Sequence, residues 1–197
     1  MTDTPTRRTI LAAGTLAATS LLRLDPSFAQ VPLVVTPECH DGDPVTSRET
    51  EGPFFKPASP NRTELFEVGM SGRPMELVGF VLSRHCKPLS SALLDFWQAD
   101  DNGAYDNSGF RLRGHQFSNA EGRYRLLSIV PGAYESRTRH VHVKVRAPGG
   151  RLLTTQLYFP GEPRNTSDGL FRSELLMRTT DRGGSLVAHF DFVLDVT

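Results

Sequence analysis

From His140 to Arg146 the chain reads His-Val-His-Val-Lys-Val-Arg, polar and apolar in strict alternation. Side chains along a strand point to opposite faces in turn. A period of two therefore puts the valines on one face, toward a core, and the histidines on the other. The run stops at the turn sequence Ala147-Pro148-Gly149-Gly150. Arg151–Phe159 resumes as the return strand of a hairpin, closed by Pro160-Gly161-Glu162-Pro163. Further short strands are expected over Met75–Ser83, Ala92–Gln98, Gly122–Leu127 and Leu186–Val196. Residues 30–73 show no helical period and are rich in Pro, Thr, Asp, Glu and Gly, which reads as an extended arm lying over the domain. Only Asp168–Met177 suggests a short helix. Short strands separated by turn residues predict an all-β fold, a β-sandwich core with an extended N-terminal arm and little helix.

The same alternation has a chemical consequence. His140 and His142 project from one strand face, so both imidazoles can reach a single metal ion. Two tyrosines stand beside turn signals. Tyr134 follows Pro131-Gly132, which can fold the chain back over that face, and Tyr105 follows Asp100-Asp101-Asn102-Gly103. Two phenols and two imidazoles make a hard, anionic donor set that suits non-haem Fe(III) better than zinc or copper(I). Taken singly, these residues say less. A lone His-x-His on a strand is more often structural, and Tyr124 and Tyr158 have core-strand settings where a buried tyrosine is the ordinary case. His40, His85, His115 and His189 read as solvated or as simple hydrogen-bond donors.

Arg7-Arg8 opens an apolar, Ala-rich run to about Leu24, and Ser27-Phe28-Ala29 offers small residues for a signal peptidase. Residues 1–29 thus read as a twin-arginine-type signal peptide and 30–197 as the mature domain, exported to the periplasm or outside the cell. The apolar run is shorter than the roughly 20 residues a spanning helix needs, so no stable membrane insertion is expected after signal removal. In an oxidising compartment the two cysteines, Cys39 and Cys86, are expected to pair. With 22 basic and 22 acidic residues, the chain has no charge excess to attract nucleic acid or anionic lipid.

Several segments in order carry a family likeness: Glu49-Thr50-Glu51-Gly52-Pro53-Phe54-Phe55, Asp95-Phe96-Trp97-Gln98-Ala99-Asp100, Gly103-Ala104-Tyr105, Arg113-Gly114-His115-Gln116, Pro131-Gly132-Ala133-Tyr134, Arg137-Thr138-Arg139-His140-Val141-His142 and Thr155-Gln156-Leu157-Tyr158-Phe159-Pro160-Gly161. Over residues 49–164 the chain resembles the intradiol ring-cleavage dioxygenases, with the layout of a protocatechuate 3,4-dioxygenase catalytic chain. The resemblance implies a non-haem Fe(III) held by Tyr105, Tyr134, His140 and His142, with Tyr105 permanent and Tyr134 released when substrate binds. It also implies Arg137 against the substrate ring, Gln156 in the active site on the neighbouring strand, and Trp97 close by. The implied reaction joins a catechol-type substrate and O2, cleaves between the two hydroxyl-bearing carbons and yields a cis,cis-muconate-type product. Phe54-Phe55 stands where tyrosines are common in relatives, which makes that wall more apolar. All four ligands in one chain imply a monomer or homo-oligomer. The alternatives from other classes are a secreted transthyretin-like carrier with this shape and no chemistry, and a metal-holding β-sandwich without turnover.

Overall fold

The computed structural model describes Met1 and residues 39–41, 43–67 and 69–197. The expected signal segment and the first residues of the arm fall outside the described residues. The strands are β1 (Pro74–Ser83), β2 (Leu93–Trp97), β3 (Arg113–Phe117), β4 (Arg123–Ile129), β5 (His140–Arg146), β6 (Leu153–Tyr158), β7 (Arg178–Arg182), β8 (Ser185–His189) and β9 (Phe192–Leu194). They form two sheets. One is antiparallel, in the order β3-β2-β5-β6; the other runs β4-β1-β8-β7, with β9 also pairing β1. Within the second sheet β1 is parallel to β8 and β9 and antiparallel to β4. Among the described residues no helix is long and apolar enough to cross a membrane.

The core lies between the sheets, as the alternation of β5 requires. Val141, Val143 and Val145 are fully buried with Leu94, Phe96 and Leu157 of the same sheet and Leu77, Val81, Leu126, Ala188 and Phe192 of the other. Leu186–Val196, expected as one strand, is broken at Phe190-Asp191. There the carbonyl of Phe190 folds over Gly79, where a Cβ would lie 1.7 Å from it. Asp191 Oδ1 then accepts from the Phe80 backbone N–H at 2.8 Å. Strands β3 and β7 are additions to the expected set. The segment expected to be helical, Asp168–Met177, holds only a 3₁₀ turn at Ser173–Leu175, with another ahead of it at Pro163–Thr166.

The other face of the β3-β2-β5-β6 sheet carries His140, His142, Trp97, Gln156, Asp95 and Lys144, and the arm covers it. The arm first runs beside the edge strand β6, where the Glu49 N–H donates to the Thr154 carbonyl at 2.9 Å and Gln156 Nε2 donates to the Thr50 carbonyl at 2.9 Å. It then crosses the face. Gly52 passes over the His142 ring, and Phe55 meets Trp97 edge-on at 4.9 Å and stacks under the Lys144 ammonium. Ser59 Oγ donates to Asp95 at 2.7 Å. At the far edge the Arg62 N–H donates to the His115 carbonyl of β3 at 2.9 Å. Near the start of the described arm, Cys39 is disulfide-bonded to Cys86 in the turn after β1, the pairing the sequence led us to expect.

Candidate metal centre

Two turns bring the tyrosines to the strand face. The Gly132 N–H donates to the Asp100 carbonyl at 2.7 Å, so the loop before Tyr134 sits directly on the loop before Tyr105. Both loops have glycine at the contact because nothing larger fits. A Cβ on Gly103 would lie 2.3 Å from the Ala133 carbonyl oxygen, and one on Gly132 would lie 2.4 Å from the Gly103 nitrogen. The result is a pair of phenol rings 5.6 Å apart and nearly perpendicular. Phe54 from the arm stacks on Tyr105 at 4.3 Å and meets Tyr134 edge-on at 5.1 Å. Arg113, itself buried, ties this wall together by donating to the carbonyls of Phe54 and Asp106.

Three donor atoms converge at the strand face. His140 Nε2 is 3.1 Å from His142 Nε2 and 3.3 Å from the Tyr105 hydroxyl. The His140 Nδ1–H donates to the Thr138 carbonyl at 2.6 Å, which fixes the tautomer and leaves Nε2 as a bare lone pair. His142 is held flat against Trp97, with centroids 4.8 Å apart and an interplanar angle of 7°. Burial, opposed by the Thr138 bond and reinforced by Arg137, lowers the His140 pKa to about 4. Burial and the charges around it hold His142 well below its ordinary value. Both rings are neutral at pH 7 and can act as ligands. Burial pushes the Tyr105 phenol up, against the pull of Arg137 and Arg113, so its ionisation at this position calls for a cation.

Tyr134 is brought beside Tyr105, but its hydroxyl takes a different direction and donates to Glu135 Oε1 at 2.7 Å. That bond, with some burial, raises its pKa. Of the four expected ligands, His140, His142 and Tyr105 therefore meet at their donor atoms, and Tyr134 stands one ring away. Among the described residues no three His, Cys, Asp or Glu side chains converge on a metal position, so an ion held here would depend on the phenols. Neutral nitrogen donors and phenols without thiolate fit a hard, highly charged ion such as Fe(III).

Arg137 and Gln156 lie together. Arg137 Nη2 donates to Gln156 Oε1 at 2.6 Å, and Gln156 is paired across the strands with His142. The guanidinium is fixed from behind by Asp168, whose oxygens accept from Arg137 Nε at 3.0 and 2.8 Å. Asp168 also accepts from the Thr138 and Leu170 backbone N–H groups, each at 2.9 Å. Sequence reasoning missed Asp168, since nothing local marks an aspartate 31 residues from its partner. It also placed Tyr158 in the core only. Tyr158 is buried, but it pairs with His140, and its hydroxyl donates to the Leu170 carbonyl at 2.8 Å and lies 3.1 Å from Gln156 Oε1. Counting the hairpin register across Ala147–Gly150 would have put Tyr158 on the site face.

A sandwich whose outer face joins two imidazoles, two phenols and a clamped arginine agrees with what comparison with known proteins finds. The family model described as Dioxygenase matches residues 50–197. The chain is 32% identical to the protocatechuate 3,4-dioxygenase beta chain of Burkholderia cepacia, over 77% of this chain and 76% of that protein. It is 32% identical to catechol 1,2-dioxygenase 2 of Acinetobacter lwoffii, over 64% of this chain but only 55% of that longer protein. Among solved structures, the dioxygenase domain of a dioxygenase and carbohydrate-binding fusion from Streptomyces sp. SirexAA-E superposes with a TM-score of 0.76 at 56% identity, covering 79% of this chain and 100% of that one. The 3-chlorocatechol 1,2-dioxygenase of Rhodococcus opacus 1CP gives a TM-score of 0.73 at 27% identity, covering 78% and 74%. The chain belongs to the intradiol ring-cleavage dioxygenase family, a class of oxidoreductases.

Proposed function

We propose that this chain is a non-haem Fe(III) dioxygenase that joins O2 to a catechol-type ring, cleaving between the two hydroxyl-bearing carbons to give a cis,cis-muconate-type product. The observation that carries the reading is that His142 Nε2 and the Tyr105 hydroxyl both lie within 3.3 Å of His140 Nε2 on the arm-covered face of the sheet. His140, His142, Tyr105 and Tyr134 would hold the ion. Bound there, ferric iron supplies the Lewis acidity that draws electron density from a chelating catechol and opens its ring carbon to dioxygen.

The chain's own groups then have separable tasks. The Thr138 carbonyl and the Trp97 ring orient the two imidazoles. Of the two protons a catechol gives up on becoming a dianion, Tyr134 would take one in becoming a neutral phenol, and a hydroxide from solvent would take the other as water. The Tyr134 hydroxyl then has Glu135 as acceptor. Arg137, immobilised by Asp168 and Gln156, stabilises negative charge that develops on the ring. Phe54, Phe55 and Trp97 exclude water, which strengthens every charge interaction inside. The relatives named above act on protocatechuate, catechol and 3-chlorocatechol by name, which supports a dihydroxybenzene substrate here. We further propose that residues 1–29 direct export, that 30–197 form the working domain, and that it acts as a monomer or homo-oligomer.

The test is iron reconstitution of the purified chain. Tyrosinate-to-ferric charge transfer should colour the protein and shift on adding a catechol. The chain has one tryptophan, stacked on a proposed ligand, so iron loading should also quench its fluorescence. Catechol turnover should give the ring-opened dicarboxylate. A protein that takes up iron and stays colourless and inert would overturn the proposal.

A further inference from the structure

The residue after Tyr134 is backbone-strained. Glu135 has φ of +47°, in the left-handed region that favours glycine. It occupies the first central position of a turn closed by the Arg137 N–H donating to the Tyr134 carbonyl at 2.8 Å. The turn is gripped from outside as well, since Arg164 Nη1 donates to the Glu135 carbonyl at 2.8 Å. A glycine would suit this backbone better. What the glutamate adds is its carboxylate, which accepts the Tyr134 hydroxyl at 2.7 Å. A surface hydrogen bond between neighbours adds little to stability, and a strained position is kept where the side chain has a task.

We propose that Glu135 is a catch for Tyr134. It receives the phenol when Tyr134 is off the imidazole pair, and so governs how readily that ligand gives way to substrate. The proposal rests on the reading of Tyr134 as a releasable ligand. Tyr134 is wedged edge-on against Phe54 and Tyr105, and Tyr105 in turn faces His142 at 6.2 Å. The turn backbone is meanwhile pinned at Arg164 and, through Arg137, at Asp168. With the backbone held at both points, the swing proposed is one of the tyrosine side chain. Glu135 is a positioning residue, acting on the chemistry only through Tyr134.

The experiment uses the full chain loaded with iron, comparing wild type, Glu135→Gly and Glu135→Gln, each also in a Tyr134→Phe background. Readouts are the visible band of the substrate-free protein, KM and kcat for catechol, and the thermal midpoint. Without the catch, Tyr134 stays on the metal. The band of Glu135→Gly should then strengthen and KM rise a few-fold to about tenfold, the worth of one hydrogen bond, with the thermal midpoint unchanged or higher. Glu135→Gln, whose amide oxygen still accepts, should restore most of the wild-type behaviour. In the Tyr134→Phe background the Glu135 changes should move neither band nor KM. A Glu135→Gly protein with wild-type band and KM, or one with equal effects in both backgrounds, overturns the catch while leaving the metal centre standing. A wild-type protein with no band overturns the metal centre, and the catch falls with it.

Discussion

Asp168→Ala removes the fully buried counter-charge of a largely buried arginine. The side chains are 1% exposed for Asp168 and 18% for Arg137. The carboxylate accepts the Arg137 Nε–H and the backbone N–H groups of Thr138 and Leu170. Deleting one partner of a buried pair strands the other charge and costs about 3–5 kcal/mol. For a domain of this size each kcal/mol lowers Tm by about 2–4 °C, so the loss should be about 6–20 °C. The double change Arg137→Ala/Asp168→Ala should be less destabilised than the sum of the singles by about 1–3 kcal/mol, since no stranded guanidinium remains. The pH dependence has a definite sign. Burial works against the Asp168 charge, but the Leu170 N–H, Arg137 and the Thr138 N–H outweigh it and hold the carboxyl below its ordinary value. A lowered folded pKa contributes stability that is intact above the unfolded value of about 3.9 and is lost as pH falls through the folded one. The gap between wild type and Asp168→Ala, read from urea melts with matched m-values, should hold from pH 8 to about 5 and narrow below about 4. A loss under about 1 kcal/mol at pH 7, or strict additivity with Arg137→Ala, would refute the reasoning.

Two further outcomes follow from the same geometry. In the iron-free protein His140, held at about 4 by burial, and His142, also held by burial well below its ordinary value, bind protons more weakly folded than unfolded. Stability is then complete above the unfolded value of about 6.5 and falls as pH drops toward 4, at up to about 1.4 kcal/mol per pH unit for each imidazole; a His140→Gln/His142→Gln variant should lack that slope in denaturant melts between those values. Replacing Cys39 and Cys86 by serine opens a loop with a sequence separation of 47, worth about 4 kcal/mol in the chain-entropy model, and calorimetry that finds no drop in Tm would exclude a structural role for the bridge.

How much of this could be read from the sequence depended on whether the physics was local. The β5–β6 hairpin was legible because alternation and the Ala147–Gly150 turn lie within twenty residues of each other, and with it came the shared face of His140 and His142. Strand β7 was not, because Arg-Thr-Thr-Asp-Arg is polar throughout; it is an exposed edge strand defined only by its pairing with β8. Strand β3 is short and contains Gly114, where an added Cβ would lie 2.8 Å from Arg62 and Leu65 of the arm, a close approach no local pattern announces. The run Leu186–Val196 has continuous strand character, and what breaks it is the close approach of Phe190 to Gly79, more than a hundred residues earlier. Among site residues, the tyrosines were found through the turns beside them. Asp168 and Glu135 act through partners set by tertiary geometry and backbone strain, neither of which has a sequence period.

The arm decides whether those residues form a chemical site at all. On a bare sandwich the His140–His142 face would point to water, and two exposed imidazoles would titrate near their ordinary value. Gly52, Phe54 and Phe55 turn that face into an interior, and burial is the leading cause of the shifts at His140, His142 and Tyr105 alike. The arm, whose described residues pair with the sheets only through isolated bridges, thus sets the protonation states that the proposed ligand set needs, keeping the imidazoles neutral and making the Tyr105 phenol ionise only against a cation. Its anchoring follows the same logic: a disulfide at Cys39, backbone bonds to β6 and β3 at the two sheet edges, and the Lys144 and Asp95 contacts between them. Loosening any of these anchors should weaken the proposed metal binding without touching a proposed ligand, because the contacts that hold the arm down are the ones that keep water off the imidazoles.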